Sequence, residues 1–249
     1  LQAPVAPAPV VVPMATAPEN ACAAVGFVIG RAAERERIVA ADILMDAIMG
    51  ANESPLKRAL LDAGIADDAI GYVADSVAQP FAVVSLRGAR PGAAERLRAI
   101  VAAEARRLAE GGLDRELVRA ALSHAEFVMR ERNFGYPDGV VLAMSAMAGW
   151  LYSDDDPAAY LRFEDVFASL REKVEEGYFE ALLRELFLDN DHRACAEVVP
   201  TESDEAAEEA EAAGEREAAA ELTEDEAASI REAVRALREA QEAPDAPES

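Results

Sequence analysis

Cysteine is nearly absent: two residues, Cys22 and Cys195, in a chain of 249. Two such widely separated cysteines build neither a disulfide framework nor a cysteine-based metal knuckle, so reduced, buried thiols are expected. Histidine is equally scarce, with only His124 and His192. Aromatic residues make up 6% of the chain, and much of the 51% hydrophobic fraction is alanine, which buries little area per residue. No apolar run reaches the length of a membrane span. No charged segment followed by an apolar one marks the N-terminus as a signal peptide, so a cytoplasmic location is expected. The chain begins with Leu1 rather than Met, which suggests a fragment or a processed product.

Basic residues are also under-represented. The net charge is −24, from 48 acidic and 24 basic side chains. Residues 201–249 hold 17 acidic and 4 basic residues, a net of −13, and residues 1–200 carry the remaining −11. Such a balance repels phosphate backbones and anionic bilayers, which argues against nucleic acid and membrane partners.

What is present divides into three parts. Residues 1–20 contain Pro4, Pro7, Pro9, Pro13 and Pro18, a density that prevents a helix or a central strand, so an extended segment is expected. Residues 21–200 alternate apolar strands and helices. A strand is predicted over 21–30, and a helix apolar on most faces over 34–49. Ser54 and Pro55 open a helix, with Ser54 capping free backbone N–H groups and Gly64 ending it. Strands follow around 70–75 and 81–86, the second apolar on both faces and therefore internal to its sheet. Helices are predicted over 93–109, after the cap Asp114, and over 140–152, 157–175 and 177–188, with a closing strand at 194–199. Asn133 to Gly139 reads as a loop. Beyond residue 200 Glu and Ala dominate. Residues 203–220 are an exposed helix or disordered, while Thr223 and Glu226 form a capping box that starts a helix. The fold class is α+β: a mostly antiparallel sheet of three or four strands covered by helices, followed by an acidic helical extension over 201–249.

Candidate chemistry is thin. His124 and Glu126 stand two apart and do not share a helical face. The string H-x-x-E-H, which would place two metal-binding histidines on one face, is absent. His192 has no neighbouring ligands. Asp154, Asp155 and Asp156 lack the spacing and glycine of a calcium loop; Asp156 and Pro157 read instead as a helix start. Gly111 and Gly112 stop a helix rather than cradle phosphate. No catalytic or metal-binding residue is expected, and substrate-binding residues are not assigned. The apolar stripe with Met144, Met147 and Trp150 is most simply core; alternatively it docks on a neighbouring domain.

The order of short motifs is more specific than any one of them. Ser54-Pro55-Leu56 with Ala59-Leu60-Leu61 and Gly64 is followed by Gln79-Pro80-Phe81 and Leu86-Arg87-Gly88. Then come Glu110-Gly111 with Leu113-Asp114, Glu126-Phe127 with Arg130-Glu131 and Asn133, Trp150-Leu151-Tyr152 with Asp156-Pro157, and Asn190 with His192-Arg193. Leu222-Thr223, Leu237, Gln241 and Pro244-Asp245 complete the series. This series, over about residues 24–245, resembles the presequence protease-like zinc metallopeptidases of the insulinase superfamily. Phe134-Gly135-Tyr136 departs from that pattern, where a small polar residue precedes the glycine and Ser follows it. The resemblance implies a second, non-catalytic domain of the N-terminal half plus the start of a helical linker. It implies zinc in the full-length enzyme and none in this segment, which should be inactive alone. Expected partners are the remaining domains of the same peptidase and, in the complete enzyme, a peptide substrate. The alternative is a free-standing, non-enzymatic interaction module derived from the same fold.

Overall fold

A computed structural model describes residues 1–131, 135–152, 156, 158–203, 208–209, 212–216, 219 and 222–242. The chain divides into two units, Leu1–Val12 with Thr16–Pro200, and Pro13–Ala15 with Thr201–Ser249.

The elements follow the pattern of apolar spacing. Strands are β1 (Val10–Ala15), β2 (Cys22–Val28), β3 (Asp68–Ala74), β4 (Phe81–Arg87) and β5 (Arg193–Thr201). Helices are α1 (Arg35–Met49), α2 (Pro55–Asp62), α3 (Ala93–Gly111), α4 (Arg115–Glu131), α5 (Asp138–Trp150), α6 (Glu164–Glu175), α7 (Tyr178–Phe187) and α8 (Glu224–Glu242). The sheet order is β1-β5-β2-β4-β3, which places β4 inside and β3 at an edge. Pairs β2–β4, β2–β5 and β3–β4 are antiparallel, within a sheet that is mixed as a whole. The fold is thus α+β, and among the described residues its sheet has five strands instead of three or four. The additional strand is β1, inside the proline-rich segment: Pro13 is tolerated because β1 is an edge strand.

The register explains the core. Ala23, Val25 and Phe27 of β2 pair with Leu86, Val84 and Ala82 of β4, and all six are buried. Strand periodicity of two puts them on one face, and α1, α3 and α7 supply buried residues to the same core cluster. Phe27 meets the Phe187 ring edge-on at 5.0 Å. Glu197 pairs with Ala23, so its side chain falls on this buried face. It is satisfied there because α3 begins beside it: its carboxylate accepts the N–H groups of Gly92 (2.8 Å) and Ala94 (3.0 Å). A carboxylate from another strand thereby caps a helix that has no side-chain cap of its own. Glu126, also buried, is paired with Arg130 at 2.7 Å and with Arg171, tying α4 to α6.

Two local expectations change. Ser54 precedes α2, but its hydroxyl turns back to accept the N–H of Ala51 (3.1 Å) and leaves the helix start uncapped by a side chain. The helix expected over 157–175 is instead a 3-10 turn, Ala159–Leu161, and the separate α6. Arg35 of α1 causes the break. Its guanidinium donates to the carbonyl oxygens of Ala159 and Arg162, which a continuous helix would commit to N–H groups four residues on. It also lies 5.2 Å from the Tyr160 ring centroid, and Tyr160 itself donates to the Ala32 carbonyl at 2.5 Å.

Asp114 caps α4 by accepting the Glu116 N–H at 2.9 Å, and Gly112, with φ +88°, ends α3. Asn133, Phe134, Asp154, Asp155 and Pro157 lie outside the described residues, and with them any role of the Asn133–Gly139 loop. Asp156 accepts the Ala158 N–H (3.1 Å) and pairs with Arg162. In the second unit, the capping box forms at α8: Thr223 and Glu226 exchange hydrogen bonds of 2.9 and 3.3 Å. Ile230, Val234 and Leu237 make an exposed apolar stripe on α8.

A groove beside the sheet edge as candidate functional site

The first unit contains a groove of about 760 Å³. Its floor is the outer side of α1, its long wall is the edge of β3, and α4, α5, the 3-10 turn and α6 complete it. The strand can lie this close to α1 because of Gly71. A Cβ there would come within 2.6 Å of Met45 and 2.8 Å of Met49. Apolar side chains from several elements face the space, among them Val128 and Met129 of α4, Val141 and Met144 of α5, and Phe163 and Phe167.

One corner is acidic. Asp42 and Asp46 stand four residues apart on α1 and therefore on one face of it. Asp75, from the turn after β3, joins them. Asp42 keeps solvent access through the groove, yet the surrounding walls strip part of its hydration. That desolvation, with the like charges of Asp75 and Asp46, pushes its carboxyl up to about 6. Burial and the Asp75 charge also raise the Tyr160 phenol. His124 reaches Asp46 from α4 at 3.6 Å.

The two histidines end in different places. His124 lies on the groove wall, while His192 belongs to the entry into β5, where its N–H donates to Asn190 (2.8 Å). Cys195 is buried with its sulfur 3.9 Å from the Ala94 carbonyl, burial raises its thiol, and both cysteines are free. The carboxylates Asp42 and Asp46 escaped the sequence reading, although two Asp at helical spacing in an apolar helix are a usable signal. Among the described residues no group of three or more His, Cys, Asp or Glu side chains is placed to hold a metal ion. The groove offers apolar walls, a corner attractive to cations and a stretch of the terminal strand β3 along one side. That combination suits binding an extended chain.

No protein-family model matches the chain. It is 32% identical over 175 residues to Protein HypA of Clostridium perfringens, covering 70% of this chain and 18% of that one. It is 30% identical over 209 residues to Presequence protease 1, chloroplastic/mitochondrial, of Arabidopsis thaliana, covering 81% and 19%. Among solved structures it matches the inactive peptidase domain of a candidate zinc protease from Bordetella parapertussis, with TM-score 0.57, 15% identity and coverage of 76% and 98%. A candidate M16-like peptidase from Alicyclobacillus acidocaldarius matches with TM-score 0.54, 21% identity and coverage of 77% and 43%. Over most of its length the chain is similar in sequence to presequence protease, and these solved peptidase structures share its fold. The chain spans about a fifth of the length of the curated relatives it matches. No helix among its described residues is long and apolar enough to cross a membrane.

Proposed function

We propose that this chain is a non-catalytic domain of a larger zinc metalloendopeptidase that degrades oligopeptides, and that its groove forms part of the wall receiving the peptide. Residues 21–200 would be the second domain of an N-terminal half, and 201–249 the first part of a helical linker. Zinc would be held by an H-x-x-E-H domain elsewhere in the same polypeptide, and the chain alone would not hydrolyse peptides. A cytoplasmic setting belongs to the same proposal. The observation that carries it is the groove beside the edge strand β3, on a chain similar to about a fifth of a presequence protease. An extended peptide gains main-chain hydrogen bonds from an open strand edge and side-chain selectivity from pockets beside it. The acidic corner favours a basic side chain.

The test is binding of a fluorescein-labelled oligopeptide carrying one lysine among apolar residues, followed by anisotropy. The expected result is saturable binding without cleavage, weakened at least tenfold by Val128→Asp. Cleavage by the chain alone, or binding indifferent to Val128→Asp, contradicts the proposal.

A further inference from the structure

Helix α5 has two apolar sides and uses only one. Val141, Met144, Ser145 and Ala148 face the groove. The remainder, including Val140, Leu142, Met147 and Trp150, is exposed, and Leu151, just after the helix, keeps 64% of its area in solvent. Val140, Met147 and Leu151 follow the spacing of one helical stripe. Phe127 of α4 and Tyr136 add two further exposed rings. So many large apolar side chains in one short helix exceed the scatter normal on a soluble surface.

The face is held in a fixed orientation. Gly149 packs so closely on Tyr160 that a Cβ would overlap the ring. Tyr160 is in turn bonded to Ala32 and stacked with Arg35. At the end of the helix, the Tyr152 hydroxyl donates to the Ser76 carbonyl at 3.3 Å. A displayed, anchored apolar surface is built to be covered.

We infer that the outer face of α5 is the seat of another domain of the same polypeptide. Charge argues against a second copy of this chain as the occupant: each copy carries −24, and pairing would bring like-charged bodies together. Within α5 the only charged residue is Asp138, so the face matches an equally apolar partner. The curated relatives are about five times as long as the stretch they share with this chain, so such a partner is available within one polypeptide. The inference rests on reading the chain as part of a larger peptidase.

Trp150 is the chain's only tryptophan and lies on the face, so 5-fluorotryptophan labelling gives a single fluorine resonance to follow. The labelled chain is titrated with the separately expressed H-x-x-E-H domain of the same polypeptide, with sedimentation in parallel. The expected result is association, a shifted Trp150 resonance, and at least tenfold weaker association for Met147→Asp and Leu151→Asp. Both variants alter exposed positions, so their thermal melting should stay that of the parent. Association that neither variant weakens, but that Ile230→Asp in α8 abolishes, overturns the α5 seat and leaves the larger-peptidase reading standing. Self-association that Met147→Asp abolishes makes a second copy the occupant and overturns the inference. Absence of any association removes the larger-peptidase reading along with it.

Discussion

Helices α1 and α5 make opposite use of apolar sequence. Helix α1 has five charged residues among 15 and buries nine side chains. Helix α5 has one charged residue among 13 and buries two, Ala148 and Gly149. The more apolar helix is the more exposed. Composition reports how much a helix stands to gain from burial, while topology decides whether this chain supplies the cover. Helix α1 lies against the sheet beside α3 and α7 in the core cluster, whereas α5 contributes no residue to that cluster and lines the groove.

The sharpest way to break that comparison is to truncate one side chain in each helix. Leu44→Ala in α1, at a fully buried site, should cost about 2–5 kcal/mol in denaturant melts. Met144→Ala in α5 should stay within about 0.5 kcal/mol, because most of that side chain is already solvated. Equal costs at the two positions would dissolve the distinction.

The next effect concerns the buried carboxylate behind α1. Glu197→Ala removes the acceptor for Gly92 and Ala94 and leaves two helix-start N–H groups without it, the one of Ala94 buried and the one of Gly92 partly so. A loss of about 2–3 kcal/mol is expected in the same melts. Glu197→Gln, which keeps one acceptor oxygen, should lose less.

A smaller effect lies on the exposed side of α1. The Asp42 carboxyl is raised to about 6 in the folded chain, against 3.8 ordinarily. A raised acid is penalised when charged. The penalty is therefore absent below pH 3.8, grows as pH rises to about 6, and is constant above that. Asp42→Asn should stabilise the chain at pH 7.5 and be neutral near pH 3.5. The gain should be about 0.5 kcal/mol, since the groove keeps the group in contact with water. A gain that grows toward low pH would reverse the assigned cause.

These contrasts also show what was legible beforehand. The strands over 21–30 and 81–86 follow from their apolar runs, though their pairing with each other does not, and the Thr223–Glu226 box follows from its own four residues. Local signals of this kind survive folding. The break between the 3-10 turn and α6 was not legible, because its cause, Arg35, lies more than 120 residues upstream of the carbonyls it captures. The acidic corner was hidden for the same reason: Asp75 joins Asp42 only once the sheet has formed beside α1. Ser54 looked like a cap because Ser before Pro usually is one; its hydroxyl found a closer donor in Ala51. The stripe of α5 was visible, and its two uses, core or docking face, could be separated only by knowing what packs over it.

The most direct measurement uses the tryptophan that α5 carries. Trp150 is 53% exposed, and the chain has no other tryptophan to mask it. Steady-state fluorescence of the isolated chain, with acrylamide titration, reads the environment of this one ring. An uncovered α5 predicts emission close to that of the free amino acid and efficient quenching, both changing little on unfolding. Blue-shifted emission that resists acrylamide until the chain unfolds would show that α5 is covered within this chain, and would contradict the account.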